Sequence, residues 1–339
     1  MQNALTAEPN SRWPARTRQS PAKVSPDNTA KPVIWYLLDG KPGHDNQSIG
    51  LVRAIEKLVP CNTYQVSIIA GKLDNLCWLI DKRFPPGTNL PDPDLIIGAG
   101  HHLHLAMLAA KRARGGKTVV LMKPGLPVSW FDLCLVPEHD HPPEHTHIFK
   151  TTGPINRVNP ASRSDQRQGL ILIGGPSRHF DWDNKNLLQQ INTIVQQSGD
   201  MHWQITDSRR TPEITRAEIM NLRLPNLEFC PSSSTGREWL PEQLSHAHQV
   251  WVSEDSMSMV FEALSSGAHT GLIRVPTRRK NKISDCLEIM LNDGQLQMLS
   301  ADMLSVPDFS KHPPVILAEA NRCAEEIKQR FLPDVTSVK

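Results

Sequence analysis

The chain has 339 residues, of which 39% are hydrophobic and 21% are charged, and its net charge is +2. This length suits two domains of ordinary size, and the near balance of charge gives no argument for nucleic acid or a membrane surface as the main partner. No apolar stretch approaches the roughly 18 to 20 residues that a membrane span needs. The six cysteines form no Cys-x-x-Cys pair, which favours reduced thiols in a cytoplasmic protein over disulfides.

The first thirty residues are polar and proline-rich, and they include Arg12, Arg16 and Arg18. This composition predicts a disordered tail for residues 1–30. Because arginine and serine are present and acids are few, a mitochondrial presequence is the alternative, although the segment has no clear amphipathic apolar face.

From Lys31 onwards, short apolar runs alternate with segments of helical spacing. Strands are predicted over residues 33–38, 64–69, 94–100, 118–122 and 131–136, and helices over 49–59, 73–83 and 102–114. Strands separated by helices imply right-handed βαβ units and a parallel sheet. We expect this first Rossmann-like domain to span residues 31–160.

The pattern restarts after a polar segment, residues 156–167, which has the composition of a linker. Strands are predicted over residues 169–173, 203–206, 227–230, 249–253 and 270–275, and helices over 184–197 and 256–266. A second Rossmann-like domain would then cover residues 161–312, and a helix over 315–331, within residues 313–339, could cross back to the first. We therefore predict an α/β fold of two doubly wound domains facing a cleft, where the carboxyl ends of parallel strands bind ligands.

The loop after the first strand combines glycines with polar side chains, namely Asp39, Gly40, Gly43, His44, Asp45, Asn46 and Gln47. A glycine-rich turn between a strand and a helix lets backbone N–H groups approach an anion. His44 and Asp45 are candidates for a catalytic base at the cleft, since an unperturbed imidazole titrates near 6.5. An equal alternative is a capping loop, in which Asp45 or Ser48 caps the helix and His44 is solvated.

The corresponding loop of the second half contains Gly174, Gly175, Ser177 and Arg178. Because a strand precedes the glycines, we favour a phosphate site in which the guanidinium of Arg178 meets a pyrophosphate. The alternative is a plain β-turn with exposed side chains.

The next strand of the second half ends at Ser208, Arg209 and Arg210. Adjacent arginines with hydroxyls suit recognition of phosphate or carboxylate. A solvated basic turn before a helix that begins at Pro212 explains the same residues equally well.

A third strand of the second half leads into an acidic and hydroxyl-rich helix start. Glu254 and Glu262 fall at the mouth and in the second turn of this helix, where carboxylates could accept bonds from sugar hydroxyls or ribose. Hydroxyls and free N–H groups at a helix start can hold phosphate. An acidic N-terminus capped by Ser253 is the alternative. The candidate donor-binding residues here are Glu254, Asp255, Ser256, Ser258 and Glu262.

Four histidines lie in a proline-rich loop, at His139, His141, His145 and His147. Alternate spacing on such a loop does not match a defined zinc geometry, so a solvated loop is favoured over a metal site. We expect neither a metal nor a cofactor. His101 and His102 follow another glycine turn, where contact with the cleft and helix capping are equal alternatives.

Together these segments resemble the mitochondrial fission "elongated mitochondria" family, whose bacterial members are described as candidate glycosyltransferases. The resemblance runs from about Lys31 to Pro276. It is carried by the loop 39–47 and by residues 136–140, 151–158, 174–179, 208–212 and 253–259. His101 and His102 depart from it, since arginines are expected there.

The resemblance implies a glycosyltransferase B fold. In that superfamily the first glycine loop faces the acceptor and often supplies the base, which His44 matches. The second half binds the nucleotide diphosphate sugar, so that Glu262 falls near the ribose, and Glu254, Asp255 and Ser256 fall near the donor sugar and phosphate. Arg178 matches the diphosphate loop.

We therefore expect a metal-independent glycosyltransferase that moves a sugar from a nucleotide diphosphate sugar to a glycan or lipid-linked acceptor, with peripheral membrane contact compatible with the sequence. The alternative comes from the plant branch of the family, which is associated with recruiting a dynamin-like protein to mitochondria. Such a scaffold would keep the fold without the chemistry.

Overall fold

The structure is a computed structural model that describes residues 31–160, 165–279 and 282–332, apart from the side chains of Gln166 and Ile283. The tail predicted for residues 1–30 lies outside the described residues. These described residues belong to one compact unit, which is built around two sheets. No helix within these ranges is both long enough and apolar enough to cross a bilayer.

The first half is a parallel sheet with the strand order β2-β1-β3-β4-β5-β6. Its strands are β1 (Val33–Leu38), β2 (Asn62–Ser67), β3 (Leu95–Ala99), β4 (Lys117–Leu121), β5 (Leu133–Pro137) and β6 (Ile148–Thr151). Three helices connect them, α1 (Pro42–Leu58), α2 (Lys72–Ile80) and α3 (His104–Arg114). Helix α1 begins at a proline, whose fixed φ suits the first helical turn.

Alternate residues of β1 enter two different cores, because the sheet is covered on both faces. Ile34 packs with α1 on one face, while Trp35 and Leu37 pack with α3 on the other. The near-continuous apolar run that predicts this strand is therefore the signature of a central strand buried on both sides.

The second half repeats this plan with the strand order β12-β11-β10-β7-β8-β9. Its strands are β7 (Asp165–Leu172), β8 (His202–Thr206), β9 (Leu227–Phe229), β10 (Ala247–Ser253), β11 (His269–Ile273) and β12 (Gln297–Met298). Its helices are α4 (Asn184–Gln197), α5 (Glu213–Asn221), α6 (Trp239–His246), α7 (Met257–Ser266) and α8 (Lys282–Asn292). Short 3-10 turns occupy Pro85–Gly87, Val128–Trp130, Glu138–Asp140 and Phe309–Lys311.

Two segments join the halves. The chain after β6 is buried between α1 and α7, where the Asn156 amide donates to Phe261 O at 3.3 Å and to Ser265 Oγ at 2.9 Å. The last helix, α9 (Glu319–Phe331), packs back onto the first half, since Cys323 and Ile327 belong to the same core as α1. The terminal helix that was predicted to cross back thus lies against α1, although it starts later than residue 315.

The two-domain α/β architecture agrees with the prediction, but several elements were not anticipated. Strands β6 and β12 are short edge strands at the ends of the two sheets, and helices α6 and α8 were also not predicted. Strand β7 also begins at Asp165, within the segment predicted as a linker. The first residues of β7 are polar, and they are extended because they pair with β8 and β10. A pattern of apolar residues cannot predict a strand that begins with polar ones.

The crossing of the linker over α1 leaves no room for a side chain at Gly50. A Cβ at this position would come within 2.1 Å of the backbone oxygen of Asn156. We expect Gly50→Ala to lower the free energy of unfolding by about 1 to 3 kcal/mol, because overpacking outweighs the gain in helix propensity. Gly43→Ala in the same helix, where a Cβ meets nothing within 4 Å, is the control, and urea unfolding of both measures the difference. Equal stability of the two variants would refute the tight crossing.

Candidate functional site

The acceptor-side loop predicted in the first half forms around His44. His44 lies in the first turn of α1, and its Nδ1 is 2.9 Å from Asp39 Oδ2 at the end of β1. Its ring rests on Gly100 at the end of β3, where φ is +91° and a Cβ would come within 2.3 Å of the imidazole. Adjacent strand ends therefore hold the imidazole in one place at the carboxyl edge of the sheet.

The Asp39 carboxylate determines what His44 can do. Burial alone would raise the pKa of Asp39, but the bond from His44 and the Lys41 backbone N–H outweigh it and lower that pKa. An ionised carboxylate accepts a hydrogen bond from Nδ1–H, and in the neutral imidazole this tautomer leaves the lone pair on Nε2. Sequence reasoning placed Asp39 in the loop without this role, because only the fold brings its carboxylate onto the imidazole.

Asp45 is buried directly beneath this pair. It is 6% exposed, and its Oδ1 has no hydrogen-bond partner among the described residues. Burial, reinforced by the nearby charge of Asp39, raises the pKa of Asp45. Asn46 reaches the linker instead, since its Oδ1 accepts from Arg157 at 3.4 Å. Gly40 lies in the turn before α1, whereas Gly43 and Gln47, which were predicted to belong to the loop, lie within the first turns of α1.

Three loops of the second half meet at the carboxylate of Asp255. Its Oδ2 accepts from Gly175 N at 3.0 Å and from Arg210 Nη2 at 2.7 Å, and its Oδ1 accepts from Ser253 Oγ at 2.7 Å. The side chain is fully buried. Gly174 is required by the same contact, since a Cβ there would lie 2.2 Å from Asp255 Oδ2. The loops after β7, β8 and β10 are thereby held together.

The predicted phosphate-binding residues divide into bound and available groups. Arg210 donates to Asp255 and to Gly175 O, and Ser208 Oγ donates to Gly174 O, so both hold the loops. Arg178 and Arg209 are exposed, and no carboxylate pairs with either among the described residues, although Arg178 Nε donates to His179 Nε2 at 2.7 Å. Ser177 Oγ accepts from His179 N and Phe180 N and so closes its own turn.

Helix α7 begins beside these loops with unsatisfied N–H groups. Ser256 is its N-cap but makes no side-chain capping bond, and Ser258 is exposed in the first turn. Glu254 is buried and accepts from Val275 N at 2.9 Å, and burial raises its pKa. This helix start therefore offers donors to an anion, while Glu254 and Asp255 anchor the backbone around it.

Glu262 lies in the second turn of α7, where burial raises its pKa to about 7 against the opposing charge of Arg157. Arg157, in the linker, is itself buried and donates to Glu238 of the second half, which also accepts from Arg53 of α1 at 3.2 Å. Charges from both halves thus meet at the base of the crevice. Sequence reasoning did not list Arg157 or Glu238 as site residues, although Arg157 lies in the segment 151–158 that carries the family resemblance.

A cavity of about 440 Å³ opens at the carboxyl edge of the first sheet, lined by Lys72, His101, His102, His104, Leu105, Gly125 and Leu126. His101 and His102 are exposed, whereas burial and the neighbouring His101 lower the pKa of His104 to about 4. A larger cavity, about 570 Å³, lies at the amino ends of β7 and β8 and is remote from these loops.

Two histidines of the proline-rich loop make contacts within the protein. His139 stacks on Phe261 of α7, and His147 Nδ1 lies 2.7 Å from Phe131 O. Throughout residues 31–160, 165–279 and 282–332, no group of three or more His, Cys, Asp or Glu side chains is arranged to hold a metal ion.

Removing the Asp255 carboxylate should break the contacts that hold the loops after β7, β8 and β10 together. We expect Asp255→Ala to lower the free energy of unfolding by about 3 kcal/mol, since the Arg210 charge and buried donors lose their partner. Asp181→Ala is the control because its ion pair with Arg278 is about half exposed on both sides, and it should cost at most about 1 kcal/mol. Chemical denaturation measures both, and similar losses would contradict this account.

The raised pKa of Glu262 makes stability depend on pH. Between its ordinary value of 4.5 and the folded value of about 7, the folded protein keeps a proton that the unfolded chain releases. The stabilisation is therefore present below about pH 4.5 and lost as pH rises towards about 7.

We compare the free energy of unfolding of wild type with that of Glu262→Gln. The difference, wild type minus variant, should fall by about 1 to 3 kcal/mol between about pH 5 and about pH 7.5. The lower part of this range applies because Glu262 is in partial contact with solvent. Urea unfolding at both pH values provides the measurement. Glu228→Gln, at an exposed carboxylate, should track wild type, and an equal response of the two variants would show that Glu262 titrates normally.

Comparison with known proteins identifies the family and the fold. A family model described as Mitochondrial fission ELM1 matches residues 42–331. A Rickettsia prowazekii (strain Madrid E) protein, named uncharacterized protein RP120, is 24% identical over 356 residues, covering 87% of this chain and 97% of that one.

Two solved structures show the same architecture at low identity. A Listeria monocytogenes protein, whose name proposes a UDP-N-acetylglucosamine 2-epimerase, gives a TM-score of 0.57 at 14% identity over 90% of this chain and 98% of that one. The UDP-GlcNAc 2-epimerase from Methanocaldococcus jannaschii gives 0.50 at 12% identity over 88% and 99%. Their likeness is one of fold, the glycosyltransferase B type with two Rossmann-like domains. The family match covers most of the chain, and we conclude that the chain belongs to the Mitochondrial fission ELM1 family.

Proposed function

We propose that this protein transfers a sugar from a nucleotide diphosphate sugar to an acceptor hydroxyl, without a metal or another cofactor. The proposal rests on the different polar groups that the two glycine loops present to the cleft. One presents an oriented imidazole, and the other belongs to a rigid group of loops with unsatisfied N–H donors and unpaired arginines. The acceptor would be a glycan or a lipid-linked sugar.

On the acceptor side, His44 is the proposed general base. The Asp39 bond at Nδ1 leaves Nε2 to take a proton from the acceptor hydroxyl and stabilises the imidazolium that results. A base of this kind typically contributes 10²- to 10⁴-fold in rate. Asp45 is the second candidate, because its raised pKa and unpartnered Oδ1 favour proton transfer or a bond to the acceptor.

On the donor side, we assign the diphosphate to the start of α7 and to Arg178. The free N–H groups around Ser256 and Ser258 favour negative charge, and the helix dipole adds to them. Arg178 and Arg209 are exposed and can move to the phosphates. As the bond to the sugar breaks, negative charge builds up on the leaving nucleotide diphosphate, and these donors would stabilise it.

Glu262 is the proposed partner of the ribose hydroxyls. It follows Ser256 by six residues on the same helix, so it lies between one and two turns beyond the phosphate donors. Arg157 lies close enough for its charge to favour the ionised form of Glu262. Asp255, Glu254, Arg210 and Ser208 act by positioning the loops, since their polar atoms already bond within the protein. Gly174 and Gly175 supply the close backbone approach.

The scaffold alternative predicts a cleft without ligand binding. A recruiter of a dynamin-like protein needs neither an imidazole aligned by a carboxylate nor an open helix N-terminus beside unpaired arginines. The arrangement at His44 and Ser256 therefore favours the transferase.

A thermal-shift panel of uridine, guanosine and cytidine diphosphate sugars tests the donor site. A bound nucleotide at about 100 times its Kd should stabilise the protein by about 2.7 kcal/mol. Arg178→Ala should weaken binding roughly 10- to 100-fold, the worth of a charge-assisted contact, whereas Arg223→Ala, at an exposed arginine at the end of α5, should leave it unchanged.

The same panel separates binding from chemistry. His44→Ala should keep the thermal shift but lose about 10²- to 10⁴-fold in release of nucleotide diphosphate with a competent acceptor. The absence of a shift with every nucleotide sugar would favour the scaffold. Conversion of the bound sugar without release of nucleotide diphosphate would reject transfer.

A further inference from the structure

An exposed apolar stripe runs along α2 of the first half. Its members are Ile69, Leu73, Leu76 and Ile80, of which Ile69 is 97% exposed and Leu73 is 79% exposed. Their spacing of four, three and four residues places the helical members on one side of α2. Nothing in residues 31–160, 165–279 and 282–332 covers these side chains, and contiguous exposed apolar surface of this kind marks an interaction site.

Aromatic surface continues the stripe. Leu79 and the half-exposed Trp130 line one shallow cavity with Leu108, Lys111 and Arg112. Tryptophan is favoured where an apolar phase meets water, because its ring is apolar and its N–H can reach a polar partner.

Cations border this apolar surface. Lys72 and Lys82 lie at the two ends of α2, and Arg112 is exposed beside Leu79; none of the three pairs with a carboxylate among the residues that the structure describes. Two acids lie nearby: Asp74, whose Oδ2 accepts from Gly71 N and which keeps its negative charge, and Asp81, which pairs with Arg83. The four cations Lys72, Lys82, Arg83 and Arg112 outnumber these two carboxylates, so the net charge at the rim is positive.

We propose that this face of the first half docks on a membrane surface rich in anionic phospholipids. The apolar stripe would enter the region between headgroups and acyl chains, while Lys72, Lys82 and Arg112 contact lipid phosphates. An amphipathic helix with a basic border binds membranes in this way. Charge complementarity favours lipid over a second copy of this chain, whose own stripe would carry the same cations.

The stripe borders the cavity of about 440 Å³ at the carboxyl edge of the first sheet. Ile69 follows the end of β2, and Lys72 lines the cavity that also contains His101 and His102. Docking would therefore bring the carboxyl edge of the first sheet next to the bilayer. A lipid-borne acceptor could then reach His44 without leaving the membrane. This access of the acceptor rests on the proposed function, but the docking itself does not.

Vesicle cosedimentation of the full chain, without nucleotide, tests the docking. Wild type should bind vesicles of equal phosphatidylcholine and phosphatidylglycerol, and bind pure phosphatidylcholine more weakly. The double variant Leu73→Glu, Ile80→Glu should lose at least about tenfold in association constant, because two large apolar side chains no longer transfer from water.

The matched control is the double variant Ile214→Glu, Met220→Glu on α5. These residues are 63% and 68% exposed, close to the 79% and 64% of Leu73 and Ile80, and the change in charge is the same. The control should bind vesicles as wild type does, and both variants should keep the wild-type melting temperature.

Cys77 offers a second readout, because it is exposed beside the stripe while the other five cysteines are buried or half-buried. An environment-sensitive fluorophore on Cys77 should shift to the blue when anionic vesicles are added. Wild type that stays in solution, equal binding by the two double variants, or equal binding to neutral vesicles would each overturn the proposal. Dimerisation that only Leu73→Glu, Ile80→Glu abolishes would also overturn it, in favour of a second copy. The nucleotide thermal shift of the same variants reports the donor site separately.

Discussion

The buried carboxylate of Asp255 is the contact on which the second half of the cleft depends. Parallel strands deliver their following loops to the same edge of the sheet, but nothing in a strand's own hydrogen bonds orients those loops towards one another. Asp255 does so by accepting from the loop after β7, from the arginine after β8 and from its own strand end. A buried charge satisfied in this way is costly to disturb, so the three loops behave as one rigid body.

The two halves share an α/β fold but differ in the polar contacts at the carboxyl edges of their sheets. In the first half, a single imidazole lies on Gly100 and is oriented by Asp39, and the rest of the loop stays open. In the second, the loops use most of their polar atoms on each other and leave only N–H groups at the start of α7, together with exposed arginines. The first half therefore presents one oriented imidazole, whereas the second half presents a fixed set of donors.

The linker does more than connect the halves. Asn156 bonds into α7, and Arg157 bonds to Asn46 of α1 and to Glu238 of α6's N-terminus. Gly50 and Gly153 allow these approaches, since side chains there would overlap Asn156 and Phe261. Burial raises the pKa of Glu262, and the charge of Arg157 in this linker opposes that shift.

The sequence by itself determined the two sheets and the position of each glycine loop, because strands buried on both faces are near-continuous apolar runs and parallel strands must end at a common edge. It also singled out His44, Arg178 and Glu262. Only the tertiary structure decided which polar residues remain available to a ligand. Arg209 and Arg210 are indistinguishable in sequence and both are exposed, yet Arg210 is bonded to Asp255 whereas Arg209 has no carboxylate partner among the described residues. Arg157 looked like part of a linker. Such roles depend on contacts between residues up to about two hundred positions apart, such as Arg53 and Glu238, and local pattern carries no record of them.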